Sequence, residues 1–271
     1  MPKLFTQESH RRVLVVGSSN VGKTSMLNEL CSLNLAVSND ARGCTLNTER
    51  LPLQPHRDHF YTFFDTVGLN ETDKGSVTSE KAIDNIIHLI NNAREGFSLI
   101  IFVIRIGTIH NTDKTNYDLF ANILTHQRIP IICVITGCEN EDPMTEYASR
   151  NSQSYESNDM KFRKIEATCF AKGGRLENLI YKTAREDSGK RVWNAIEEFS
   201  SERPIVTIND ENIGIVIKRT WNKFCDWVNK PTWRIIINKD LYDILGRMGI
   251  QDDGQKHRIV ESILQPTSKL Q

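Results

Sequence analysis

The run Gly17-Ser18-Ser19-Asn20-Val21-Gly22-Lys23-Thr24 meets G-x-x-x-x-G-K-[ST] at every fixed position, and Ser25 follows it. Such a run binds anions. Glycines let the backbone curl so that successive N–H groups turn inward, and a helix starting at the loop's end adds the positive pole of its dipole. Lys23 is the expected partner of terminal phosphate oxygens, and the Thr24 hydroxyl is the expected ligand of Mg2+. The loop needs a strand before it and a helix after it. The apolar Val13–Val16 and the helical run Ser25–Leu30 provide them.

Further boxes follow at matching intervals. The apolar run Phe60–Phe64 ends in Asp65-x-x-Gly68, so Asp65 is expected to reach magnesium through water and the Gly68 N–H to meet a γ-phosphate. Between these boxes, the polar stretch Ser38–Thr45 suits a switch whose threonine contacts magnesium when the γ-phosphate is present. Thr45 is the choice, with Thr48 as competitor and an ordinary strand threonine open for either. Arg42 stands three residues earlier, at the spacing of a cis arginine finger; the alternative is a solvated switch arginine. After Ile131–Ile135 comes Thr136-Gly137-Cys138-Glu139, where Glu139 can accept from guanine N1–H and N2–H2. Gly137 occupies the place where a Ras-like enzyme sets a lysine along the ring. The box Ala167–Lys172 could offer a backbone N–H to guanine O6, although Cys169 and Ala171 read first as loop or core positions. Leu69 stands where a Ras-like enzyme orients water with glutamine, so intrinsic hydrolysis is expected to be slow.

Together these boxes resemble the immune-associated nucleotide-binding GTPases, the GIMAP family, and their relatives among chloroplast import GTPases and septins. Asp65-Thr66-Val67-Gly68-Leu69 is similar to their D-T-P-G-L, with Val67 in place of proline. Gly96–Thr108 resembles their strand with a G-R-x-T-type box, and Thr136 and Glu139 keep two positions of T-[RK]-x-[DE]. The likeness runs from about Arg11 to Phe199. It implies GTP or GDP with Mg2+ as ligands, and a homodimer across the nucleotide in which the partner orders water or supplies charge.

The elements that must position these residues read as α/β. Val13–Val16, Phe60–Phe64, Leu99–Ile104, Ile131–Ile135 and Lys164–Thr168 fit buried strands of a mainly parallel sheet. Helical patterns lie between them, clearest over Ser79–Arg94, where Ile83, Ile86, Ile87 and Ile90 share a face. The expected fold is a three-layer P-loop architecture over residues 11–200, followed by a helical extension over 204–271. Tyr147–Asp159 reads as an exposed insertion, and Leu176–Phe199 as one or two helices interrupted near Ser188-Gly189. In the extension, Ile213, Ile217, Trp221, Phe224 and Val228 mark an amphipathic helix whose stripe is expected to pack on its own domain, a partner or membrane surface being the alternative, with a second helix over Lys239–Arg247.

Composition narrows the partners. The 271 residues carry 34 basic and 34 acidic side chains, so no net field favours nucleic acid or an anionic membrane. The longest apolar stretch, Leu99–Ile104, is too short to span a bilayer, and the N-terminus lacks a secretory signal, so the expected location is the cytoplasm. Six scattered cysteines without C-x-x-C pairs read as reduced, packed thiols rather than zinc ligands.

Overall fold

The computed structural model describes residues 10–35, 48–66, 79–173, 176–227 and 230–264. Its strands are β1 (His10–Val16), β2 (Thr48–Arg50), β3 (Gln54–His56), β4 (His59–Thr66), β5 (Leu99–Arg105), β6 (Ile131–Thr136) and β7 (Lys164–Ala167). They form one sheet in the order β2-β4-β1-β5-β6-β7, with β3 also paired to β4. The path β4-β1-β5-β6-β7 is parallel throughout, and β2 and β3 run antiparallel to β4.

Side-chain alternation explains the layers. In β1, Leu14 and Val16 enter one core while Val13 and Val15 enter another. β5 repeats the split, with Ile100, Phe102 and Ile104 opposite Leu99, Ile101 and Val103. Strands that are apolar on both faces must be covered on both, which dictates helix, sheet, helix. The helices are α1 (Lys23–Leu30), α2 (Ser79–Arg94), α3 (Asn111–Tyr117), α4 (Glu146–Glu156), α5 (Lys182–Phe199), α6 (Ile213–Trp227), α7 (Arg234–Arg247) and α8 (Asp253–Leu264). α1 and α5 cover one face through Met26, Leu27, Val192 and Ile196. α2 and the segment Asp118–Leu124, a π-helical continuation of α3, cover the other. The expected α/β architecture with helices on both faces and a helical C-terminal extension is the one observed.

Three expectations need correction. Tyr147–Asp159 is exposed over most of its length as expected, yet it is largely α4, with Ala148 and Tyr155 buried, rather than a loop. Ser149, Asn151 and Ser152 bond back to carbonyls of Glu146, Tyr147 and Ser149, so polar residues that normally mark loops are satisfied within the helix. α5 runs unbroken through Ser188-Gly189, because both residues are buried and the Ser188 hydroxyl accepts the Cys169 N–H at 3.0 Å. The second helix of the extension begins at Arg234 rather than Lys239, and α8, β2 and β3 were not anticipated.

The stripe on α6 is buried as expected: Ile213, Ile217, Trp221 and Phe224 join the core that holds Leu14, Phe102 and α2. The Trp221 indole stacks near Phe224 and Trp233 and donates to the Trp233 carbonyl at 2.9 Å. Arg94 of α2 donates to the Met248 carbonyl, and Arg247 pairs with Asp84. Cys31, Cys133, Cys138, Cys169 and Cys225 are free buried thiols, and burial pushes Cys31 up to about 12 and Cys138 to about 11. Cys44 lies outside the described residues. Among those described, no helix is long and apolar enough to cross a membrane.

Replacing Trp221 with alanine removes a fully buried indole from this shared core and is expected to cost about 3–5 kcal/mol in urea unfolding. A loss below roughly 1 kcal/mol would show that α6 is not integral to it.

Candidate functional site

In the sheet order, chain connections leave β1 toward β4 on one side and reach β5 on the other. Such a switch point opens a crevice at the carboxyl ends of the strands. Gly17 begins there, directly after β1. Its φ is +152°, and a Cβ at this position would stand 2.2 Å from the Val103 carbonyl oxygen of β5, so only glycine lets the loop turn this close to the neighbouring strand. Asn20 follows with φ +59°, and the chain enters α1 at Lys23.

Lys23 is only 7% exposed. Its ammonium donates to the carbonyls of Gly17 and Ser18, each at 2.9 Å, which closes the loop on itself. The loop is also fastened from outside. The Ser18 hydroxyl donates to Asp113 Oδ1 at 3.1 Å and accepts from the Asn116 amide at 3.3 Å, both on α3. The Thr136 hydroxyl, at the end of β6, donates to the Val21 carbonyl. Thr136 was expected at the base of a nucleotide; the structure gives its hydroxyl to the loop backbone. Ser19, Thr24 and Ser25 are partly exposed around the loop and the first turn of α1, and Val21 packs into the core beneath.

Asp65 stands beside this loop because β4 pairs with β1 in the register Val15 with Asp65. The next residue anchors the strand end, Thr66 Oγ1 donating to the Val15 carbonyl at 2.8 Å. Asp65 Oδ1 is buried and, among the described residues, has no hydrogen-bond partner. Burial raises its pKa to about 6, against the opposing pull of the Lys23 ammonium and with a further push from Glu49. A buried carboxylate oxygen without a donor is a cost that a divalent cation or its bound water removes, so this donor set fits Mg2+.

A second group of residues gathers at the ends of β6 and β7. Cys138 N–H donates to the Thr168 carbonyl, and Thr168 returns both its N–H and its hydroxyl to the Ile135 carbonyl. The following loop is held by Arg185, which donates to the Ala171 carbonyl and grips Glu177 through two nitrogens at 2.6 and 3.0 Å. Cys169 is fully buried and its N–H is taken by Ser188, so it is a core position. Glu139 is partly exposed, yet its Oε2 is buried and unpartnered among the described residues. Two acidic side chains of the expected site thus each carry an oxygen without a hydrogen-bond partner among the described residues. Arg42, Thr45 and Gly68, with Leu69, lie outside the described residues, as does the side chain of Thr48. Asp113 and Asn116 were missed in the sequence because only the fold brings α3 to the loop.

Asp65 gives a pH test. Its carboxyl is held above its unfolded value, so below about pH 4 both states are protonated and no penalty exists. As pH rises toward 6 the unfolded chain releases its proton first, and stability falls; above 6 the penalty is constant. The nucleotide-free Asp65→Asn protein is therefore expected to exceed wild type by about 1–3 kcal/mol at pH 7 and by little near pH 4. Paired denaturant titrations across this range measure it, and a gap independent of pH would overturn the assignment.

Residues 12–137 match the family model described as "50S ribosome-binding GTPase". The chain is 28% identical to GTPase Der of Pasteurella multocida over 137 residues, which is 43% of this chain and 27% of that protein. It is 34% identical to tRNA modification GTPase MnmE of Malacoplasma penetrans over 93 residues, 31% of this chain and 20% of that protein. It thus spans about a quarter of the length of the curated relatives it matches. Among solved structures, Aquifex aeolicus Era bound to GDP·AlF4− superposes with a TM-score of 0.46 at 17% identity, covering 78% of this chain and 66% of that one. The family match spans the loop, Asp65 and the end of β6, and the fold places these three together. Residues 12–137, a little under half of the chain, are thus similar to the GTPase domain that this family model describes.

Proposed function

We propose that this protein binds GTP or GDP with Mg2+ and hydrolyses GTP slowly as a molecular switch. The carrying observation is the convergence of the Lys23 loop with Asp65, whose buried oxygen has no donor among the described residues, at the carboxyl ends of β1 and β4. In this reading, N–H groups from Gly17 through Ser25 cradle the phosphates and Lys23 turns from its two carbonyls to phosphate oxygens. Thr24, Asp65 and Thr45 hold the cation, which neutralises charge on the phosphates when bound. Gly68 meets the γ-phosphate through its N–H, and Glu139 reads the guanine edge. Thr136 serves that reader by tying the loop to β6.

Turnover is read as slow because Leu69 can neither donate to nor accept from an attacking water. Arg42 is read as a charge donor in cis, and a homodimer across the nucleotide as the route to faster turnover. Leu69 also favours a second reading, a nucleotide-stabilised scaffold with negligible turnover. The narrower likeness to immune-associated GTPases rests on the Asp65–Leu69 and Gly96–Thr108 boxes and on Thr136 with Glu139, whereas the curated relatives carry the names Der and MnmE. The matched model is described as ribosome-binding. With 34 basic against 34 acidic residues, this chain has no net field for RNA, and nucleic acid is left out of the reading, with the cytoplasm as its place. The extension over residues 204–271 is read as a buttress for α2 rather than a second active unit.

Calorimetric titration with GTP, GDP and ATP in magnesium tests the reading. Guanine nucleotides are expected to bind in preference to ATP, and Lys23→Ala to weaken them by about 2–3 kcal/mol or more through loss of a charge-assisted contact. Unchanged affinity in that variant would mean that the site lies elsewhere. Sedimentation with a non-hydrolysable GTP analogue is expected to show a dimer that the GDP form lacks; one monomeric species in both states would remove the dimer from the reading.

A further inference from the structure

Gly137 leaves a gap on the face of the base site. Its φ is +81°, a conformation in which a side chain is strained, so this backbone disfavours the basic residue that the T-[RK]-x-[DE] pattern expects. The space above it is filled from another strand. Arg105, the last residue of β5, pairs in register with Thr136, and its Cγ and Cζ each lie 3.8 Å from the point where a Gly137 Cβ would stand. Ile106 Cγ2 closes the same space at 3.2 Å. Arg105 is exposed, and among the described residues its guanidinium has neither an ion pair nor a hydrogen bond. Two residues beyond Gly137, the buried Oε2 of Glu139 is equally without a partner.

We propose that Arg105 lays its guanidinium plane against the purine ring whose edge Glu139 reads, supplying from β5 the cation that Gly137 cannot carry. The inference rests on the guanine-site reading above and adds the cation that holds the base in place. A planar guanidinium suits the task better than an ammonium, because it stacks on π faces and is weakly hydrated. The division of labour follows from chemistry: a stacked cation holds any purine, whereas a carboxylate distinguishes a base that offers both N1–H and N2–H2. The ligand class is a purine nucleotide.

The test uses full-length wild type, Arg105→Ala, Arg105→Lys and Glu139→Gln. Each displaces a fluorescent GDP with GDP, IDP or inorganic pyrophosphate in magnesium, beside a nucleotide-free melting curve. Arg105→Ala is expected to weaken GDP and IDP alike, by about five- to thirty-fold, and to leave pyrophosphate unchanged. Lysine restores part of the loss, since it keeps the charge and lacks the plane. Glu139→Gln weakens GDP more than IDP. Melting curves should coincide, because Arg105 is exposed. Wild-type GDP affinity in Arg105→Ala, an equal loss for pyrophosphate, or full restoration by lysine would each overturn the proposal. Failure of the underlying reading looks different: wild type ignoring GDP, or Glu139→Gln treating GDP and IDP alike.

Discussion

Burying an ammonium costs several kcal/mol unless its protons find acceptors, and the loop after β1 is folded around meeting that cost. Lys23 turns inward onto the carbonyls of Gly17 and Ser18, which requires the chain to bend sharply at Gly17 and pass within contact distance of the β5 backbone. Everything else at the site is placed relative to that bend. β4 must lie beside β1 in the register that brings Asp65 to Lys23, α3 must reach Ser18, and the end of β6 must reach Val21. The two opposite charges are then near enough to moderate each other while both stay largely out of water. Asp65 nevertheless remains a poor resident of its own pocket, since burial outweighs the lysine and lifts its pKa. A cation satisfied by the loop beside a carboxylate oxygen unpartnered among the described residues suits an anion and a divalent cation arriving together.

Those parts of the molecule whose chemistry is contiguous in sequence were legible there. The loop, Asp65 and Glu139 occupy fixed spacings after apolar runs, and each such run became a strand of the parallel sheet. α2 was legible at both ends, because Ile83, Ile86, Ile87 and Ile90 repeat at one helical face over a long segment. β2 and β3 escaped notice because each is three residues long, polar or proline-bearing, and stabilised by pairing with β4 rather than by its own pattern. α4 escaped for a related reason, its polar face being satisfied by back-bonds and its apolar face being only Ala148 and Tyr155. Ser188-Gly189 looked like an interruption because the demand for small residues there comes from packing and from Cys169, far away in sequence.

The same distinction separates the legible from the illegible in the site. Thr136 was identifiable as part of a box, yet its role as a tie to the loop is set by a contact across 115 residues. Asp113 and Asn116 belong to no box, and Arg105 stands inside the Gly96–Thr108 box with no base-site role assigned to it there. Nothing in their local sequence distinguishes them from other polar residues at element ends, and only the topology assigns them to Ser18 and Gly137. Spacing motifs record the groups that one contiguous segment brings to a ligand; they are silent about what arrives from a neighbouring strand.

The burial of Trp221 has a consequence for cooperativity. Since α6 contributes to the core that contains Leu14, Phe102 and α2, the change of sequence pattern near residue 204 does not coincide with a seam in the packing. Unfolding the C-terminal helices would strip apolar cover from α2, so local opening of the tail and loosening of the α/β core share part of one free-energy cost. Through that shared core the described helices of the tail are linked to the strands that carry the site: tightening one is expected to slow amide exchange in the other.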